Sequence, residues 1–333
     1  MKLLPLGTPV ISPYPMIASL HSVIAAHEED TLNWVLNNYV QIIYTHWEYT
    51  NLHGKKVEIQ GNFTDAYFNY NVRPIYKMPF FYHDKISNAI IKRKWVSFAE
   101  FIQDYIDENY YVMCYLNTKY IPHSPNYLVR DFDHLTFIFG YDESNKVVHI
   151  ADHYDMKAYD MYEVSFDQLN QAFIHTEADA ECIKVHDEIQ KSALNVNSIK
   201  NKLIQYQNSL PDCELVVEPV TLISAHYGLS YYDKLVQQIN NGNVDYRAVH
   251  ILCNHKSLMQ KRLQALYEHN HIDCESYTGL SMKNDELLNL STVLRNAMVK
   301  YQMKPSGISK LILQCEELNK LDAEFVSKLV QVL

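Results

Sequence analysis

Apolar positions recur along this chain with two different periods, and the switch between them divides it. From Asn109 to Asp152 three short runs rich in β-branched and aromatic residues, 109–116, 133–142 and 147–152, are separated by polar turn segments. That pattern predicts consecutive antiparallel strands. Before them, residues 16–46 keep helical spacing through Ile17, Leu20, Val23 and Ile24, then through Leu32, Val35, Leu36, Tyr39, Val40 and Ile43. Two helices are expected there, the second capped by Asp30-Thr31. Residues 47–85 show no clean period and carry Gly54, Gly61, Pro74 and Pro79, which predicts loop with short extended pieces. Ser97–Ile106 reads as a helix with a capping box formed by Ser97 and Glu100, and a short capped helix starts at Ser165 and runs to Phe173.

After residue 183 helical periods dominate, over 187–209, 228–241, 244–270, 284–302 and 307–332. Breaks are expected at Pro211, Pro219, Asn241-Gly242, Tyr277-Thr-Gly279 and Pro305-Ser-Gly307. The fold class that follows is α+β: an N-terminal domain with an antiparallel sheet over 1–183 and an α-helical domain over 184–333. No repeat or low-complexity linker interrupts the chain.

Composition narrows the function classes. With 333 residues, 47% hydrophobic and 20% charged, the chain is of the kind that buries a sizeable core. A net charge of −10 argues against a nucleic-acid surface and, more weakly, against anionic membranes. No stretch has the length of a membrane-spanning helix, and Met1-Lys-Leu-Leu-Pro-Leu-Gly makes a poor signal peptide. The six cysteines form no CxxC pair and read as reduced, mostly buried thiols, which points to the cytoplasm. Eight glycines and no phosphate-cradling or dinucleotide fingerprint argue against cofactor chemistry, so none is expected. Twenty-six tyrosines, four of them in Tyr67 to Tyr82, reflect either codon bias or an aromatic-lined cleft. Pro74 and Pro79 keep that segment out of a central strand, and as a cleft lining or lid it would offer wide contact area.

The candidate chemistry centres on His134, at the start of the second predicted strand, and Asp152, at the end of the third. Neighbouring strands can bring them together across the 18 intervening positions, and a histidine oriented by a carboxylate is half of a nucleophilic triad. Their bland alternative is a half-buried strand residue and a turn former. His149, Asp152, His153 and Asp155 crowd one strand end, but His149 and Asp152 are an odd number apart and point to opposite faces, so no metal site is expected. His250 and His255, five apart on a predicted helix, read as ordinary helix residues, and His269-Asn-His271 lacks the flanking strands and ligands of a nuclease motif.

The order helix, helix, strand, His-bearing strand, Asp-bearing strand is that of papain-like enzymes. The segments Ile106-Asp-Glu-Asn-Tyr-Tyr-Val-Met, His134 with Gly140-Tyr141-Asp142, and Ile150-Ala-Asp152 resemble the N-terminal domain of the butirosin biosynthesis protein H family. They also resemble the bacteriocin-processing-peptidase-like branch of the papain superfamily. Tyr227-Gly-Leu-Ser-Tyr-Tyr-Asp-Lys-Leu is similar to the helix opening the C-terminal part of such proteins. The resemblance implies a papain-like N-terminal domain and a Cys-His-Asp acyl transfer from a carrier-protein thioester, beside peptide or polyketide assembly lines.

The chain departs from that pattern at the nucleophile. The family cysteine belongs near Tyr14 to Ser19, yet no cysteine precedes Cys114. Ser19 is the best-placed hydroxyl, with Ser12 and Ser22 behind it, and all three have helix capping or packing as an alternative role. Cys114 reads as a core residue. Tyr14, His21, Tyr76 and Tyr82 are the candidate substrate contacts. Three functions remain open at this point: an acyltransferase or thioesterase acting on a carrier-bound intermediate, a pseudoenzyme that binds or scaffolds an assembly line, and a non-covalent His134–Asp152 acid–base catalyst of cyclisation or hydrolysis. The partner expected is an acyl or peptidyl carrier protein.

Overall fold

The three strand-like runs form the middle of one sheet. The computed structural model describes residues 1–50, 56–65, 78–154, 159–212 and 220–333. It divides into two units, one of Met1–Thr31 with Tyr76–Gln190 and the other of Leu32–Ile75 with Lys191–Leu333. The chain is thus α+β with a discontinuous division, in which residues 32–75 group with the C-terminal half, not with the residues around them in sequence.

In the first unit, β4 (Phe81–Ile86), β9 (Ala180–Val185), β5 (Tyr111–Asn117), β6 (Asp133–Asp142), β7 (Val147–Asp152) and β8 (Asp160–Ser165) lie side by side in that order. Short β1 (Lys2–Leu3) extends the β5 edge by pairing with β6 at Gly140 and Tyr141. Every one of these pairings is antiparallel. Helix α1 (Pro15–Ala26) packs on β6 and β7. The short α3 (Asn88–Lys94) leads into α4 (Phe98–Asp107), and α4 and α5 (Phe166–Ile174) pack on β5 to β7 and on each other.

The two predicted caps are present. Ser97 Oγ accepts from the Glu100 N–H, while the Glu100 carboxylate reaches back to the Val96 N–H, one residue before the expected partner. Ser165 and Gln168 cap each other reciprocally. Burial follows the helical period of α4, with Phe98, Phe101, Ile102 and Ile106 inside and Phe98 stacked on Phe173 of α5 at 3.9 Å.

The second unit contains a three-stranded antiparallel sheet in the order β10 (Val220–Tyr227), β2 (Ile42–Thr50), β3 (Lys56–Asp65). Helices α6 (Val196–Gln207), α7 (Ser230–Asn240), α8 (Tyr246–Glu268), α9 (Cys274–Met303) and α10 (Ile308–Val332) also belong to it. Four expectations fail between Asp30 and Gly279. Helix α2 (Glu28–Asn38) ends before Ile42, and the run Ile42-Ile43-Tyr44-Thr45, β-branched and aromatic, enters the sheet instead of prolonging the helix. The stretch 47–65, expected to be mostly loop, holds the last four residues of β2 and all of β3. The break expected at Tyr277-Thr-Gly279 is absent, and α9 runs through it. Asp30-Thr31 lies inside α2 instead of capping it, with the Thr31 hydroxyl donating back to the His27 carbonyl.

The core of this second unit is partly ionic. Asp322 is fully buried and accepts from Lys256 Nζ at 2.5 Å, Tyr206 Oη at 2.7 Å and Tyr232 Oη at 2.9 Å. Burial alone would raise its pKa, but the Lys256 charge and the phenol donors hold it below the ordinary carboxylate value. Arg262, also fully buried, donates to the carbonyls of Leu36 and Tyr39 where α2 ends, which supplies partners for helix-terminal carbonyls that have none within the helix. Among the described residues no helix is long and apolar enough to cross a membrane.

Candidate active site

His134, the second residue of β6, lies opposite Leu116 of β5, and β7 ends at Asp152. Phe137 faces Ala151 and Ile138 faces Ile150 across the β6–β7 ladder. Continuing that register sets Asp152 opposite Thr136, so His134, two residues before it, shares the same sheet face. Its Nε2 lies 3.1 Å from Asp152 Oδ1. The same carboxylate oxygen accepts the backbone N–H of His153 at 2.6 Å. The Asp152 side chain is completely buried, whereas that of His134 is 31% exposed. A carboxylate oxygen accepts, so it places the imidazole proton on Nε2 and leaves the lone pair of the neutral ring on Nδ1.

Aromatic groups frame this pair. Phe132 stacks near His134 with ring centroids 6.2 Å apart, and the Tyr154 ring lies 6.3 Å from the imidazole. The Tyr154 hydroxyl is 3.3 Å from Thr136 Oγ1. Burial first, and then the Asp152 charge, push its pKa well above the usual phenol range, so it remains a neutral phenol. His153 donates Nε2–H to the Ser12 carbonyl at 2.8 Å, and burial lowers its pKa below the ordinary histidine value.

The start of α1 contributes differently from the expectation. Ser19 is buried, donates its hydroxyl proton to the Pro15 carbonyl at 2.7 Å and accepts from the Tyr159 hydroxyl at 2.9 Å. Ser22 likewise donates to the Ala18 carbonyl. These are ordinary bonds of helix serines back to the preceding turn, and they engage both hydroxyl protons. Ser19 and His134 are not hydrogen-bonded to one another. Ser12 offers His153 its carbonyl. Tyr14 is the residue before α1, in extended conformation. His21 is buried within α1, and that burial lowers its pKa to about 3, as for an imidazole packed in a core.

Of the other candidates, Tyr82 is half exposed on edge strand β4, with β9 and β5 lying between it and β6, and its ring packs on His186 at 4.1 Å. Tyr76, with residues 67–77 of the aromatic segment, lies outside the described residues. Cys114 is buried on β5, and desolvation raises its pKa, so it is a protonated core thiol. Clefts of about 420 Å³ beside Ser97, Gln103, Lys146 and Asn170, and of about 300 Å³ beside Asp84, Asp104, Tyr105 and Glu108, are not lined by His134 or Asp152. Among the described residues no group of three or more His, Cys, Asp or Glu side chains is arranged to hold a metal.

Thr136, Tyr154 and Tyr159 were not singled out by the sequence, and His153 was weighed there only as a metal ligand. Thr136 carried a signal, since strand alternation puts it on the face of His134. Tyr159 carried none, because its bond to Ser19 spans 140 positions. No protein-family model matches this sequence, and no curated protein matches it either.

Proposed function

We propose that this chain catalyses acyl transfer or hydrolysis on a carrier-bound thioester, using His134 and Asp152 as a general acid–base pair and no side-chain nucleophile. The papain-like ancestry suggested by the order of its elements fits this reading. The observation that carries it is the bond from His134 Nε2 to the buried Asp152, which fixes the tautomer and leaves Nδ1 of a partly exposed imidazole as the base.

In this mechanism His134 Nδ1 takes a proton from an attacking water or amine as the new bond to the acyl carbon forms. The imidazolium, stabilised by Asp152, then gives that proton to the departing sulfur as the carbon–sulfur bond breaks. Ser19 takes no part, because its proton and one of its lone pairs are already engaged. The same engagement favours a second reading, a binding protein that kept the fold and lost covalent chemistry.

The test uses short acyl N-acetylcysteamine thioesters with wild type, His134→Ala and Ser19→Ala. Turnover by wild type and Ser19→Ala, lost in His134→Ala, with no acyl adduct by intact mass, supports the acid–base reading. An adduct on wild type that vanishes in Ser19→Ala overturns it in favour of a serine nucleophile. No turnover by any of the three favours the binding protein.

A further inference from the structure

The segment 118–132 connects β5 to β6 and delivers the chain to His134. It is held from within. Asn117 Nδ2 and Lys119 Nζ both donate to the Asp131 carboxylate, at 3.0 Å each. Thr118 donates twice to the Phe132 carbonyl, through its N–H and its hydroxyl, and Asn126 donates to the Thr118 hydroxyl. Leu128 sits in the left-handed region at φ 56° while its N–H donates to the Lys119 carbonyl. A non-glycine residue persists there only when its surroundings over-determine the backbone.

This fixed loop nonetheless turns apolar side chains to solvent. Leu128 is 71% exposed, Val129 74% and Phe132 46%. Between them Arg130 is positioned by two contacts. Its Nε donates to Asn126 Oδ1 at 2.6 Å, and its guanidinium carbon lies 5.5 Å from the Phe132 ring centre. Phe132 is in turn stacked near His134. The two terminal guanidinium nitrogens have no acceptor among the described residues. A planar guanidinium oriented by the Asn126 bond and the contact with the Phe132 ring, with its outer edge open, has the geometry for bidentate recognition of an oxyanion.

We propose that Arg130 binds an oxyanion of the substrate, carboxylate or phosphate, with Leu128, Val129 and Phe132 covering the apolar part next to it. The ligand would then run from Arg130 across Phe132 to the imidazole. The orientation toward His134 rests on the acyl-transfer reading. The anion site itself does not.

NMR titration tests the site by binding alone. The Arg130 Nε–H and Phe132 ring signals are followed in wild type and His134→Ala with two probes, glutarate and inorganic phosphate. Saturable shifts are expected at both residues in both proteins. Arg130→Gln should weaken binding, read at the Phe132 ring, by at least about tenfold, the size of a lost charge-assisted hydrogen bond. A response to glutarate alone assigns the oxyanion to a carboxylate on the acyl group, and a response to phosphate alone assigns it to a phosphate-bearing carrier arm. No saturable shift with either probe, or unchanged affinity in Arg130→Gln, overturns the site. Loss of thioester turnover with intact Arg130-dependent binding would count against the acid–base reading only.

Discussion

An imidazole that ends a strand is mobile and ambiguous about its proton until something fixes both. Asp152 does this for His134 from a fully buried position, and His153 N–H in turn holds the carboxylate. Replacing Asp152 by Asn preserves the shape and an acceptor but removes the charge that stabilises the protonated ring. We expect Asp152→Asn to lower kcat on thioester substrates by on the order of a hundredfold or more, the scale of a compromised general base, with KM little changed. A KM-only effect would assign Asp152 to substrate binding. The pair was legible in sequence because a strand, a turn and a strand separate its members. Whether they share a face was not, since β6 carries an irregularity between Ile138 and Gly140, and a slip of one residue reverses every side chain. The engagement of Ser19 was equally hidden, because it depends on Tyr159 from a distant turn.

Elements whose period matched their burial were readable, and those decided by tertiary partners were not. Helices α4, α5, α7, α8 and α10 and strands β5 to β7 fall where their patterns place them. Strands β2 and β3 were obscured because they mix polar and apolar residues and draw their stability from pairing with each other and with β10. Two glycines show how local rules and context divide. Gly279 stands inside α9, and a methyl group there would meet nothing within 4 Å. Its turn-like sequence context is overridden by the long helix around it. Gly279→Ala should therefore raise stability by about 0.5–1 kcal/mol, seen as a higher urea midpoint. Gly228 is the opposite case, at φ 52° with an added Cβ 2.1 Å from the Tyr206 carbonyl oxygen. Gly228→Ala should lower the midpoint, and a rise would mean that the β10–α7 turn relaxes freely. The ionic core makes a third case. Asp322→Ala leaves Lys256 buried without its partner and should cost about 3–5 kcal/mol, whereas the double change Asp322→Leu with Lys256→Met should recover most of that loss. Equal loss in single and double variants would show that packing, not charge, sets the value.

At the scale of the whole molecule, the grouping of residues 32–75 with the C-terminal half was not legible, because hydrophobic periodicity is a local signal and carries nothing about which distant element a segment joins. What both units share is a buried neutral imidazole. His21 in one and His255 in the other each have a pKa lowered to about 3, chiefly by burial. His255 donates to the Val40 carbonyl and stacks flat on Tyr206, in a buried position where a ring charge would be poorly solvated. Both groups titrate near 6.5 in the unfolded chain. Between that value and about 3 the unfolded state binds a proton that the folded state refuses, so stability falls as pH drops through this window. The limiting slope is about 1.4 kcal/mol per pH unit for each histidine. Acidification also relieves the self-repulsion of a chain with net charge −10, which works the other way. That term is spread over solvated, screened surface charges, so the buried groups should prevail. The urea midpoint should fall from pH 7 to pH 5, and more gently in His255→Gln, which keeps a donor for Val40 but cannot titrate. A midpoint that holds steady or rises on acidification would mean that the imidazoles protonate in place and that burial does not govern them.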